Sequence, residues 1–172
     1  MTAVQRRSAI VKTLEAAGQP ISASALAQQF SVTRQVVVGD IALLRASGSK
    51  ISATPRGYVL ETVGSGFVKQ LACRHSAADT ETELNIMVDC GCTVVDVIVE
   101  HAVYGQLTAP LQLASRYDVQ QFIARMGDAE ALPLSALTEG VHLHTVLCPD
   151  EERFQRLCQL LSRHGFLLQD KD

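Results

Sequence analysis

Residues 22–48, SASALAQQFSVTRQVVVGDIALLRASG, and residues 51–60, ISATPRGYVL, decide the fold of the first third of this chain. Ser22 is a good helix N-cap, and Leu26 and Phe30 turn inward behind it. Phe30-Ser31-Val32 makes a short turn. Thr33 caps a further helix that runs to about Ala46. In it Val37, Ile41 and Leu44 recur at i, i+4 and i+7, a core stripe, and Gly48 stops it. Thr54-Pro55-Arg56-Gly57 suits a tight turn, because proline pre-sets φ at the second position. The short apolar runs on either side pair as a hairpin. Upstream, Val4, Ile10, Val11 and Leu14 place a first helix on one face, ended by Gly18 and Pro20. Two short helices, a three-residue turn, a third helix and a hairpin wing form a helix-turn-helix unit.

Charge supports a nucleic-acid partner for that unit. Residues 1–60 carry seven Lys/Arg against two acids, Glu15 and Asp40, whereas the other eight Lys/Arg face sixteen Asp/Glu. A basic module joined to an acidic one suits a DNA binder with a separate sensing domain. The segment resembles the winged helix-turn-helix that opens the biotin-repressor-like regulators, which implies that the third helix enters the major groove N-terminus first. Outside its core stripe this helix offers Thr33, Arg34, Gln35, Val38 and Gly39. Arg34 can pair with guanine, Gln35 with adenine, and Val38 can touch a thymine methyl. Arg56 at the wing tip, with Lys50, suits phosphate or minor-groove contact. Gly39 costs the helix about 1 kcal/mol relative to alanine.

Residues 61–66 read as a flexible linker and 67–172 as a second, α+β domain, after a winged helix at 1–60. Its pattern is βαββαβαβ: strands over 67–74, 94–99, 107–113, 141–147 and 166–168, and helices over 80–88, 118–126 and 150–163. A ferredoxin-like sheet is the candidate arrangement. No apolar run is long enough to span a bilayer, and residues 1–7 do not read as a signal peptide. The five cysteines show no disulfide-framework spacing. Cys90-Gly91-Cys92 is a weak metal motif, and reduced thiols in a cytoplasmic protein are expected.

All five histidines lie in the acidic module. His142-Leu143-His144 sits on an expected strand, where period two puts both imidazoles on one face, a chelating pair for a borderline divalent metal. Polar surface is the plainer explanation of such a pair. Glu83 has a structural role available, since Thr80-x-x-Glu83 fits a capping box. His101 opens a turn, and His164 suits the negative end of a helix.

Residues 73–166 resemble the three-histidine (3H) domain that follows a winged helix in nicotinic-acid-responsive repressors. The resemblance rests on CRHS at 73–76, Glu83-Leu84, His101-Ala-Val-Tyr-Gly, SRYDVQQF at 115–122, LPLSALTEGVHLHT at 132–145 and Gly165-Phe166-Leu167. It implies one divalent transition-metal ion per chain, held by His75, Glu83, His142 and His144. Nitrogen and oxygen ligands suit Zn, Ni, Co, Fe and Mn alike. It also implies nicotinic acid as effector, a homodimer on a palindromic operator, and control of niacin uptake or NAD synthesis. Arg74 and Arg116 are the nearest cations for the effector carboxylate, with His101 and Tyr104 as further candidates. Ala102 departs from the family pattern, where proline follows this histidine, and so leaves that loop less rigid. A regulator and not an enzyme is expected. The rivals are a regulator that senses the metal itself and a metal-dependent hydrolase fused to a DNA-binding arm.

Overall fold

The computed structural model describes residues 1–61 and 66–169. The expected linker at 61–66 lies for the most part outside these described residues. The chain divides into two compact units, Met1–Gly64 and Ser65–Asp172.

The first unit consists of α1 (Ala3–Ala17), α2 (Ala23–Gln29), α3 (Arg34–Ala46), β1 (Ile51–Thr54) and β2 (Gly57–Leu60). The caps are those the sequence names: Ser22 Oγ accepts from Ala25 N–H, and Thr33 Oγ1 from Val36 N–H. Ile10, Leu14, Leu26, Val37, Ile41 and Leu44 close one core. Full burial of such a side chain contributes about 1.5–3 kcal/mol. Val4 does not join them; it is exposed, because at about 100° per residue it sits roughly 240° around the helix from Ile10.

Asp40, on the inner side of α3, is buried as well. It accepts from Arg6 Nε at 2.6 Å and from Arg7 Nη1 at 3.4 Å, so two of the basic residues of this unit tie α1 to α3. Arg45 donates from Nε to the Ile51 carbonyl at 2.6 Å and lies over the Tyr58 ring, fastening the wing. Ile21 and Tyr58 exchange two backbone hydrogen bonds of 2.8 Å. That approach requires glycine at 57, where φ is +134° and a Cβ would run into the Ile21 carbonyl.

The second unit contains β3 (Phe67–Arg74), α4 (Thr80–Asp89), β4 (Thr93–His101), β5 (Gly105–Leu113), α5 (Arg116–Asp128), β6 (Val141–Cys148) and α6 (Glu151–Arg163). Short 3₁₀ turns at Ala77–Asp79 and Leu134–Thr138 precede α4 and β6. The sheet order is β3-β6-β4-β5, antiparallel throughout. The α+β class and the order of elements follow the pattern. The ferredoxin-like arrangement does not: there the first and third strands of a βαββαβ unit are central, whereas here the last strand, β6, lies between the first and second. The expected strand at 166–168 is a single bridge, Leu167 to Cys73, flanked by Arg74 N–H to Phe166 O and Leu168 N–H to Ala72 O. It covers the outer edge of β3.

One face of the sheet packs on the helices through Leu71, Val94, Leu113 and Val146, against Leu84, Met87, Leu157 and Leu161. Two cysteines depart from the expectation of reduced thiols. Thr93 pairs with Leu147, which brings Cys92 opposite Cys148, and the two form a disulfide with Cα atoms 4.3 Å apart. Their 56-residue separation carries no local signal. Cys73, Cys90 and Cys158 are free thiols.

Candidate metal centre and DNA-binding face

β6 alternates strictly, so His142, His144 and Val146 turn toward the helices. The histidine pair shares one face as period two requires. That face is buried and not polar surface: the two side chains are 2% and 3% exposed. Glu83, on the first turn of α4 and 1% exposed, points at them. Its Oε1 lies 3.0 Å from His142 Nε2, and its Oε2 lies 3.3 Å from His144 Nε2. His75, just after β3, brings its Nε2 to 2.6 Å from Oε2.

The capping box is not formed. Asp79 is the N-cap of α4, Thr80 is already helical, and its buried hydroxyl makes no hydrogen bond. The 3₁₀ turn at 77–79 runs straight into α4 and moves the helix start one residue upstream. The Glu83 carboxylate is thereby free to face the three imidazoles.

Each imidazole is oriented from behind. Nδ1 of His75 donates to Ser76 O at 2.7 Å, Nδ1 of His142 to Gly140 O at 2.8 Å, and Nδ1 of His144 to Asp96 O at 2.7 Å. A carbonyl only accepts, so every Nδ1 carries a proton and every Nε2 is turned toward Glu83. Two devices of the fold provide these acceptors. A β-bulge between Val94 and Asp96 re-aims Asp96, whose carboxylate also takes the Thr145 N–H at 2.9 Å. Gly140, at φ +88°, lies against His75 so closely that a Cβ would strike the His75 carbonyl.

Burial opposes charge on His75, His144 and Glu83, and the charge pairing wins. Burial pulls the His75 and His144 pKa values down, but Glu83 beside them leaves both raised. Burial pushes the Glu83 carboxyl up, yet the nearby His144 and the hydrogen bonds with His142 and His144 hold it well below the ordinary carboxylate range. His75 Nε2 is nevertheless outside hydrogen-bond geometry despite its 2.6 Å contact, a buried nitrogen without a hydrogen-bond partner. Three Nε2 atoms converging on one carboxylate, with carbonyls fixing the far nitrogens, form a donor set of the kind that can hold a divalent transition ion. Cys73 joins the cluster: its Sγ and ligand atoms of Glu83 and His142 all lie within 4.8 Å of one another.

A pocket of about 540 Å³ opens beside His75, lined also by Arg74, Ser76, Ser135, Glu139 and Gly140. Its size is that of a small-molecule site. Of the four effector candidates, Arg74 lines it and the others do not. Arg116 pairs with Asp89 through Nε at 2.7 Å and Nη2 at 2.6 Å. His101 ends β4, its Nδ1 accepting from Val103 and Tyr104 N–H at 3.1 and 3.2 Å, with the exposed Tyr104 ring against it.

In the first unit Thr33, Arg34, Gln35 and Gly39 are exposed on α3, and Lys50 beside the wing is exposed too. Val38 and Arg56 are half-buried. Val36, which the core-stripe argument passes over, is exposed on the first turn of α3. Nothing lies within 4 Å of a Cβ built at Gly39.

The family model of the 3H domain matches residues 68–170, and that of a helix-turn-helix domain matches residues 6–59. The chain belongs to the 3H-domain repressor family. It is 43% identical to the probable transcription repressor NiaR of Thermotoga maritima over 166 residues, covering 96% of this chain and 95% of that protein. It is 42% identical to the transcription repressor NadR of Bacillus subtilis over 169 residues, covering 96% and 94%. Within this 3H domain, sequence reasoning singled out neither Asp96 nor Gly140, whose carbonyls orient histidines. Cys73 stands two residues before His75, so strand periodicity marks it for the same face.

Proposed function

We propose that this 3H-family chain is a metal-dependent, ligand-responsive transcription repressor. It binds a palindromic operator as a homodimer through α3 and the wing, and acts in the cytoplasm. Nicotinic acid is its effector and genes of niacin uptake or NAD synthesis are its targets, as the 3H resemblance implies. The observation that carries this is the convergence of His75, His142 and His144 on Glu83, with His75 lining a pocket that Arg74 also lines, in a chain that carries a helix-turn-helix. The relatives' names as repressors favour a regulator over an enzyme. No helix among the described residues is long and apolar enough to cross a membrane.

The four residues His75, Glu83, His142 and His144 hold the ion. Bound there, a divalent ion supplies a Lewis-acidic position suited to a pyridine nitrogen or a bridging water. Arg74 supplies the cation for a carboxylate. Nicotinic acid then changes operator affinity by favouring one of two dimer arrangements.

Operator-binding titrations with nicotinic acid, nicotinamide and NAD, each with and without a chelator, test this. The expected result is a response to nicotinic acid that disappears with the metal and in His142→Ala and His144→Ala. A response to metal alone, indifferent to all three compounds, makes the chain a metal sensor instead. An operator affinity unmoved by metal and compounds alike refutes both.

A further inference from the structure

The thiol of Cys73 is unused by the four-ligand centre, and its placement is unusual. It is fully buried. It sits directly across from His142 in the β3–β6 register, and cross-strand Cβ atoms in such pairs are about 4.5–5.5 Å apart. Its backbone is held from both sides, by β6 and by the Leu167 bridge. Cys73 Sγ, a Glu83 oxygen and a His142 nitrogen lie mutually within 4.8 Å. A tetrahedral zinc ion with a sulfur ligand at about 2.3 Å and nitrogen or oxygen ligands at about 2.0–2.2 Å holds its donors roughly 3.3–3.7 Å apart. The three atoms, within 4.8 Å of one another, therefore need to close by at most about 1.5 Å on binding. The Nε2 of His75 comes within 2.6 Å of the same carboxylate without making a hydrogen bond there.

We propose that Cys73 is a direct ligand of the ion, so that the centre is a mixed thiolate–imidazole–carboxylate site. This rests on the metal-centre reading above and adds a ligand to it. On binding, the Cys73 S–H bond breaks, its proton passes to solvent and a sulfur–metal bond forms. A thiolate makes the site softer and turns its preference from manganese toward zinc and cobalt. The competing role is a thiol that donates to Glu83 and only positions it. Loss of such an outer-shell partner costs about 10–100-fold in metal affinity, so affinity alone does not separate the two roles.

Cobalt(II) absorption does. Titrated into the full chain, cobalt is expected to give visible d–d bands and an intense near-ultraviolet thiolate-to-cobalt charge-transfer band. That band disappears in Cys73→Ser and persists in Cys90→Ser and Cys158→Ser. Cys73→Ala serves if a hydroxyl is poorly tolerated in this buried position. Visible bands that His142→Ala abolishes, with no charge-transfer band dependent on Cys73, overturn the proposal and leave the metal centre standing. A parent protein that binds no cobalt removes the centre and the proposal together.

Discussion

Glu83→Gln is the sharpest probe of the centre, because glutamine keeps the shape of the side chain and removes its charge. In the parent, three Nε2 atoms lie 2.6, 3.0 and 3.3 Å from its two oxygens, all nearly excluded from water. A lost outer-shell partner costs about 10–100-fold in metal affinity. Loss of an anionic ligand should exceed that, so zinc affinity should fall by more than about 100-fold, near 2.8 kcal/mol. The metal-free protein should respond differently with pH. The raised pKa values of His75 and His144 stabilise the fold below the unfolded histidine value of about 6.5, and this stabilisation is lost as pH rises through their folded values. The lowered Glu83 pKa stabilises above about 4.3 and fails as pH falls through its folded value. Both terms are present near pH 5.5. A hydrogen bond to a charged group is worth about 1.5–3 kcal/mol, so the variant should lose about that much there and less as pH rises through the folded histidine values. Zinc titration calorimetry and chemical denaturation of chelator-treated protein over a pH series upward from about 5.5 measure this. Equal zinc affinity in variant and parent would refute Glu83 as a ligand, and a stability loss independent of pH would refute the ion-pair account.

Three further outcomes are expected. Zinc affinity should rise with pH through and above the ordinary histidine range, because His75 and His144 hold their protons to higher pH and the ion must displace them. The slope should be up to about tenfold per pH unit for each proton displaced, read by competition with a chromogenic chelator. Gly140→Ala should cost about 1–3 kcal/mol in stability, since φ is +88° and the new Cβ meets the His75 carbonyl. It should also weaken zinc binding by moving His75, as thermal melts with and without zinc will show. Arg34→Ala should cost about 1–3 kcal/mol on the operator and relax base preference, whereas Arg56→Ala should weaken binding to all sequences and lower the salt slope by about 1; fluorescence anisotropy over a salt series distinguishes them.

The centre shows why a fold of this kind positions ligands well. Two histidines stand on a central strand, the glutamate on a helix packed over it, and the third histidine at the end of the neighbouring strand. The rotamers are held by backbone carbonyls and not by flexible side chains. Preorganisation of this sort would keep the proposed donor set together in the metal-free protein.

Sequence alone determined the features that repeat locally. The helix-turn-helix, its Ser22 and Thr33 caps and the Val37–Ile41–Leu44 stripe depend on contacts within a turn or two, and 3.6-residue periodicity displays them. The shared face of His142 and His144 depends only on the period of a strand. Tertiary structure decided what depends on pairing distant segments. Glu83 meets His142 across 59 residues, Asp40 meets Arg6 across 34, and Cys92 meets Cys148 across 56. Insertion of β6 between β3 and β4 sets which residues face one another, and no local pattern encodes strand order. The same holds for Glu83: Thr80-x-x-Glu83 has the letters of a capping box, but the preceding 3₁₀ turn makes Asp79 the cap. The side chain is left to the three histidines because a buried carboxylate is tolerable only where donors or cations surround it.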